Sequence, residues 1–399
     1  MRDAMVALRE HGIESAALVH RHSLSIRTKK ESFEANGHRF QVIRTAMWAR
    51  LLFTPISPGF PWHLRKMIKS GRPDILHLHL PNPSAFWVLA LPSARRIPWV
   101  VHWHADVITA AQDWKMKLFY KFYQPIERAV LKRANAIVAT STPYRDSSQP
   151  LKEWHTKCQV VPLGVDTKRF KHGTTVGSAL PQRPPSWEAR PRGDLSNLAP
   201  DQKNRGEAPL LQVLAVGRLT YYKGFSFLIE AAARAPDIHI NLVGHGDQAK
   251  QLKALTASLN LQDRVTFHGI LSNAELAQQM ADCDCLCLPS IERTEAFGMV
   301  LLEAMYFGKA TVISDVNGSG MGWVVDDGIT GIKVRPADAD ALASAFNRLA
   351  ADREELAEMG RHGKVKFDQQ FEINHAVDGL GKIYQDIARE QMDPGSSPG

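Results

Sequence analysis

Ser290-Ile291-Glu292-Arg293-Thr294-Glu295-Ala296-Phe297-Gly298-Met299-Val300-Leu301-Leu302-Glu303-Ala304-Met305 sets two carboxylates, Glu295 and Glu303, eight residues apart across a loop-to-helix junction. Glu303 lies in a run of Met299, Val300, Leu301, Leu302, Ala304, Met305, Tyr306 and Phe307 that is apolar enough to be buried all round. An unpaired carboxylate there carries a large desolvation cost and is kept when something polar needs it. Glu295 lies just before the helix, near Ala296, Phe297 and Gly298, where free backbone N–H groups and the positive helix end favour an anion such as a phosphate. Hydroxyl-gripping carboxylates beside such a helix end suit a nucleotide sugar. The alternative is a core salt bridge for Glu303 and a surface charge for Glu295.

Three further stretches stand at strand ends. Gly217-Arg218-Leu219-Thr220-Tyr221-Tyr222-Lys223-Gly224 follows an apolar strand and precedes a helix, the position where open α/β sheets bind ligands. Its glycines allow close approach of a phosphate, and its two cations, five residues apart, can brace a diphosphate. Gly244-His245-Gly246-Asp247 and Phe267-His268-Gly269-Ile270 end two more strands. In the first half, Val101-His102-Trp103-His104-Ala105-Asp106 places polar groups just past an apolar strand. His77 and His79 alternate within a strand and read as packing residues, with His79 and Pro81-Asn82-Pro83 able to line an acceptor side.

These motifs, in this order, resemble the retaining family-four glycosyltransferases, whose GT-B fold sets two Rossmann-like domains facing across a cleft. The Glu pair resembles that family's E-x7-E signature, which implies a sugar contact for Glu295 and a ribose contact for Glu303. Gly217–Gly224 resembles the GR-x(4)-KG element, which implies that Arg218 and Lys223 neutralise the leaving diphosphate. Gly244 matches a glycine turn, and Gly269 and Ile270 a segment that meets the nucleotide base through backbone groups. His104 matches the strand-end histidine that touches the transferred sugar, and Asp106 the acidic residue after it. The implied reaction moves a hexose such as mannose or glucose from a nucleotide-diphosphate sugar to an acceptor hydroxyl, in a glycan or a lipid-linked precursor of a cell-surface polysaccharide or lipopolysaccharide. Attack on the same face needs neither a protein nucleophile nor a metal, so no cofactor is expected. Family members begin with a strand and a glycine-rich loop, whereas Met1–Gly12 already reads as the first helix. A late start assignment, a fragment and a reduced donor site are the three readings of that difference. A nucleotide-sugar epimerase of GT-B fold and an inactive nucleotide-sugar-binding protein are the other classes.

Bulk properties bound these readings. A chain of 399 residues suits two domains, and 44% hydrophobic with 23% charged residues is ordinary for a globular protein. The longest nearly apolar stretch, 84–92, is far short of the roughly 20 residues that span a bilayer. The N-terminus lacks a signal-peptide core, so the expected location is cytoplasmic, free or peripheral on the inner face of the membrane. Cys283, Cys285 and Cys287 read as one face of a buried strand, where same-face side chains stand roughly 7 Å apart, too far to converge on one zinc. Residues 1–165 hold 24 Lys and Arg against 11 Asp and Glu, hence +13, which leaves 8 − 13 = −5 for the rest. A basic half suggests nucleic acid, an anionic membrane or a phosphate-bearing substrate. No nucleic-acid-binding signature is visible, so nucleic acid is not an expected partner. Trp48, Phe53, Phe60 and Trp62 beside Arg50, Arg65, Lys66 and Lys69 suit docking on an anionic membrane; the alternative is that these aromatics pack under the loop before strand 74–80 while the cations are solvated.

The alternation of strands and helices predicts α/β domains at 1–170 and 210–373, separated by a Pro- and Gly-rich linker at 171–209. A helix over 115–134 interrupted at Pro125 and a closing helical region 338–390 broken at Gly360 and Gly363 complete the expectation; the resemblance to GT-B enzymes further implies a C-terminal helix, at 374–390, that crosses back onto the first domain ahead of the tail to residue 399.

Overall fold

The computed structural model describes residues 2–51, 54–107, 114–171 and 209–392, which form two α/β units, Met1–Asp166 with Ile373–Gly399 and Thr167–Glu372. The linker expected at 171–209 lies, but for its two ends, outside the described residues, as does Phe53.

Unit 1 opens with helix α1 (Arg2–Glu10), as the sequence predicts, followed by β1 (Ala16–His20), β2 (Lys29–Ala35), β3 (His38–Thr45), β4 (Ala49–Leu51) and β5 (Thr54–Ile56). Then come α2 (Phe60–Gly71), β6 (Leu76–Leu80), α3 (Trp87–Ala90), α4 (Pro92–Arg95), β7 (Trp99–Trp103), α5 (Trp114–Arg133), β8 (Ala136–Ala139), α6 (Thr142–Ser147) and β9 (Cys158–Val160). Strands β6-β7-β8-β9 form a parallel sheet, and β1-β3-β2 a second one in which β2 and β3 are an antiparallel hairpin. The hairpin was not expected, although its turn was legible: Asn36 and Gly37 both have positive φ, 51° and 73°, as the tight two-residue turn requires. Helix α5 continues through Pro125 without interruption. The proline is on the exposed side, where water can satisfy the carbonyl that loses its amide partner.

Unit 2 comprises α7 (Lys168–Lys171), β10 (Leu211–Val216), α8 (Phe225–Arg234), β11 (Ile238–Val243), α9 (Ala249–Ser258), β12 (Val265–Gly269), α10 (Asn273–Asp282), β13 (Cys285–Leu288), α11 (Met299–Tyr306), β14 (Ala310–Ser314), α12 (Met321–Val324), β15 (Gly331–Val334), α13 (Ala339–Ala351) and α14 (Arg353–Gln370). Its six parallel strands run β12-β11-β10-β13-β14-β15, and the buried strands and α8 and α13 share one apolar core. Strand order reverses at β10: the chain moves outward through β11 and β12, then returns to the other side of β10 with β13. Such a switch point leaves a crevice at the carboxyl ends of the two central strands.

Two expectations need correction here. Helix α14 passes through both glycines instead of breaking, because a Cβ on Gly360 would collide with the Gly308 carbonyl and one on Gly363 would meet Met305 Cγ at 3.4 Å. They allow α14 to lie close against α11 and the turn that follows it. Cys283 ends α10 rather than lying in the strand with Cys285 and Cys287. All four cysteines are buried and free, and burial pushes the Cys283 thiol up to about 12.

The last helix, α15 (Ile373–Met392), belongs to unit 1, where Leu380, Ile383 and Ile387 pack on Val100, Val138 and Val161. Gly379 faces Val161 Cγ1, where a Cβ would stand at 3.0 Å.

Candidate functional site

In unit 2 the loops after β10 and β13 flank the switch point. Gly217 follows β10, and its amide donates to the Val243 carbonyl at 3.0 Å; Gly244, after β11, donates to Gly269 at 2.8 Å. A Cβ on Gly244 would overlap the Gly217 carbonyl, and one on Gly224 the Pro289 carbonyl. Three strand ends and two loops are thus drawn together by close backbone approach. Gly224 also has φ +67°, which only glycine adopts without strain.

Across the crevice the Lys223 ammonium pairs with the Glu295 carboxylate, both side chains being largely buried. Ser290 Oγ donates to the same carboxylate at 3.4 Å, and Ser319 Oγ holds the Glu295 carbonyl. Tyr222, unremarked in the sequence, has its hydroxyl pushed up by burial and by nearby Glu295, with Arg218 opposing. Arg218 itself is exposed. Gly298, at φ +81°, opens α11 directly after Phe297, which is buried against Trp323 and Phe371. Ala296 accepts from Gly320 at 2.8 Å; Gly269 and the exposed Ile270 stand at the end of β12.

Glu303 projects from α11 and is paired with Arg169 of α7, a partner the sequence reading missed. Burial pushes the Glu303 carboxyl up, and the guanidinium pulls against it. Phe170 stacks on Tyr306 at 5.0 Å and seats α7 beside α11. No local signal links residues 134 positions apart. The alternative reading of Glu303 as a core ion pair is therefore half right: the pair exists, at a partly open position.

Unit 1 solves its polar problem differently. His77 and His79 of β6, His102 of β7 and His104 just beyond form one stack, with neighbouring ring planes tilted by 8–28° and centroids 4.4–5.4 Å apart. The register pairs His79 with His102, and the period of two puts all four imidazoles on one sheet face. His79 Nδ1 and His104 Nε2 are 2.7 Å apart, His77 Nε2 and His102 Nδ1 3.3 Å, and His77 Nδ1 meets the Tyr384 hydroxyl of α15. Burial lowers His77 and His104 to about 4, so the stack is neutral at pH 7. His77 and His79 are thus more than packing residues. Nitrogens of His77, His79 and His102 lie within 4.8 Å of one another, the one metal-capable group among the described residues. Ligands about 2.0–2.1 Å from a zinc stand closer together than that, and hydrogen bonds already link this set into pairs.

Asp106 accepts from the Trp103 indole at 2.8 Å and from Ser148 Oγ at 2.6 Å, and its amide donates to the Tyr144 hydroxyl. Those bonds tie the loop after β7 to α6. Nearby Glu127 is buried on α5, where burial raises its carboxyl to about 7 and the Tyr120 hydroxyl donates at 3.0 Å.

Residues 1–164 match the family described as "Glycosyl transferase 4-like domain", and residues 201–366 that described as "Glycosyl transferases group 1". The chain is 28% identical over 342 residues to the O-antigen chain mannosyltransferase C of Escherichia coli, covering 85% of this chain and 82% of that protein. It is 28% identical over 325 residues to a D-rhamnosyltransferase of Pseudomonas aeruginosa, covering 81% and 77%. Among solved structures, a sucrose-phosphate synthase of Thermosynechococcus elongatus superposes with a TM-score of 0.73 at 23% identity, over 97% of this chain and 92% of that one. With the fold class GT-B and both halves matched, the chain belongs to the group 1, family-four-like glycosyltransferases.

Proposed function

We propose that this glycosyltransferase moves a hexose, mannose or glucose, from a nucleotide-diphosphate sugar to the hydroxyl of a lipid-linked or polysaccharide precursor, with retention at the anomeric carbon and without a metal. The observation that carries this reading is the Lys223–Glu295 pair, which spans the two loops at the switch point of the unit 2 sheet. A cation and a carboxylate paired there can part company on binding: Lys223, with Arg218, takes the diphosphate, and Glu295 is released to a sugar hydroxyl. Glu303 takes the ribose, and Gly217, Gly244, Gly269, Ile270, Ala296, Phe297 and Gly298 border the donor. His104, neutral and hydrogen-bonded to His79, offers a sugar contact, with Asp106 holding its loop. The leaving phosphate accepts the acceptor proton as the new bond forms on the face the leaving group vacates.

The polysaccharide acceptor is favoured by the likeness to an O-antigen chain mannosyltransferase. No described helix is long and apolar enough to cross a membrane. A lipid-linked acceptor puts the enzyme, in this reading, at the cytoplasmic face as a peripheral protein. Titration with GDP, UDP and ADP tests the donor site. Glu303→Ala should weaken the preferred nucleotide by about ten- to hundredfold, the worth of a charged hydrogen bond, while Glu295→Ala spares it and slows transfer. Equal affinity in both variants and the parent sinks the assignment, and an inverted anomeric centre in the product sinks retention.

A further inference from the structure

Among the described residues, seven large apolar side chains of unit 1 are exposed between residues 48 and 126: Trp48, Ile56, Trp62, Trp87, Leu118, Phe122 and Ile126. Phe60, expected among the surface aromatics, is instead 4% exposed and part of the core. The strongest feature is on α5. Leu118, Phe122 and Ile126 recur at i, i+4 and i+8 and make an outward stripe about 80° wide, at 100° per residue. Phe122 is 71% exposed, while Tyr120, Tyr123, Glu127, Val130 and Leu131 face inward.

Charge runs beside this stripe. Lys117, Lys121, Arg128 and Lys132 occupy its flank, all exposed, and the one acid between 117 and 133, Glu127, is buried. Arg128 is engaged by Glu153 at 2.8 Å. The short 3-10 turn at Pro83–Phe86 packs against both α5 and β5, and Phe86 meets Tyr123 at 5.0 Å. That turn leads directly into Trp87, and Trp48 donates its amide to Ile56 at 2.9 Å on the β4–β5 hairpin. Helix α2 follows with Trp62 exposed, Lys66 Nζ 5.4 Å from its ring, and Arg65, Lys69 and Arg72 but no acid.

We infer that this face of unit 1, with the Leu118–Phe122–Ile126 stripe of α5 at its centre, docks on an anionic phospholipid bilayer. Helices α2 and α5 carry apolar side chains beside cations and no exposed acid of their own, which matches a headgroup layer: the stripe enters the acyl boundary while the lysines meet lipid phosphates. A second copy of the chain fits less well, because it would bring like charges together. The inference rests on the lipid-linked acceptor proposed above and specifies the surface that reaches it.

Co-sedimentation of the full-length protein with vesicles tests it. Binding is expected to phosphatidylcholine vesicles that contain phosphatidylglycerol, not to phosphatidylcholine alone, and salt should release it. The Leu118→Ser/Phe122→Ser variant should lose about tenfold or more in partitioning. Lys117→Gln/Lys121→Gln, which leaves every apolar contact in place, should lose about fivefold per cation. Undiminished vesicle binding by both variants overturns the inference, as does a solution dimer that the Ser variant dissociates. Nucleoside diphosphate affinity measured in the same preparations separates the two readings: intact nucleotide binding without vesicle binding removes the docking surface alone, whereas absent nucleotide binding removes the donor site.

Discussion

The histidine stack of unit 1 and the carboxylate pairs of unit 2 are two answers to one cost, that of taking polar groups out of water. In unit 1 the groups give up charge: four imidazoles are neutral and are linked in pairs and to Tyr384 by hydrogen bonds, which leave His102 Nε2 buried without a partner. In unit 2 charge is kept and balanced, Lys223 against Glu295 and Arg169 against Glu303. A neutral ladder suits uncharged hydroxyls. Balanced pairs hold cations and carboxylates ready for an anion and a diol without a free charge in the empty state. The difference teaches that acidity should threaten one unit far more than the other.

The largest expected effect follows from the lowered imidazole pKa values. A histidine at about 4 in the fold and 6.5 unfolded contributes in full above pH 6.5. That contribution is lost as the pH falls from 6.5 to 4, because only the unfolded chain takes the proton. His77 and His104 should therefore each remove about 3 kcal/mol from unit 1 over that window. Urea melts followed at several pH values check this, and a flat unit 1 stability from pH 7 to 4.5 would break the comparison.

Glu127 carries the opposite sign. Its carboxyl is held at about 7 against an ordinary 4.5, so the penalty is absent below 4.5, grows to pH 7 and then stays. Glu127→Gln should stabilise unit 1 by about 3 kcal/mol at pH 8 and by little at pH 4.5. Equal gains at both pH values would show that charge is not the cause.

Arg169 sharpens the unit 2 side. Arg169→Ala leaves Glu303 without its cation and should cost about 2 kcal/mol, since the pair is partly open to water. Adding Glu303→Gln should return most of it. A strictly additive double-mutant cycle would mean the pair contributes nothing.

The smallest effect concerns His79. His79→Phe removes the partner of His104 and should slow transfer about tenfold, or about 1.4 kcal/mol, while His79→Asn retains much of the rate. Nucleotide affinity should not move in either variant. A parallel loss of nucleotide affinity would mark His79 as a structural residue only.

How much of this was legible depends on the range of the interaction. The first three strands of unit 2 end where the sequence places strand ends, at Gly217, Gly244 and Gly269. Gly217–Gly224 and Glu295–Glu303 were readable because turn glycines, a strand end and a helix start are local features. The β2–β3 hairpin was missed because its apolar face is small, Phe33 and Ala35 with Phe40 and Val42, and is interleaved with charged residues, despite the Asn36-Gly37 turn. Gly360 and Gly363 read as breakers because the packed neighbour that requires them, the turn at Gly308, is distant in sequence.

The sequence by itself determined the alternation of strands and helices, the two α/β units and the residue types at the strand ends, since each rests on periodicity and near neighbours, and the order of its motifs gave the family. Tertiary structure alone decided who meets whom. It brought Arg169 to Glu303, Lys223 to Glu295 and Tyr384 to His77, and it made a histidine stack from residues that alternate along two separate strands. It also turned Phe122 outward and Phe60 inward. Burial and charge balance depend on groups that converge from distant parts of the chain, and convergence is set by packing.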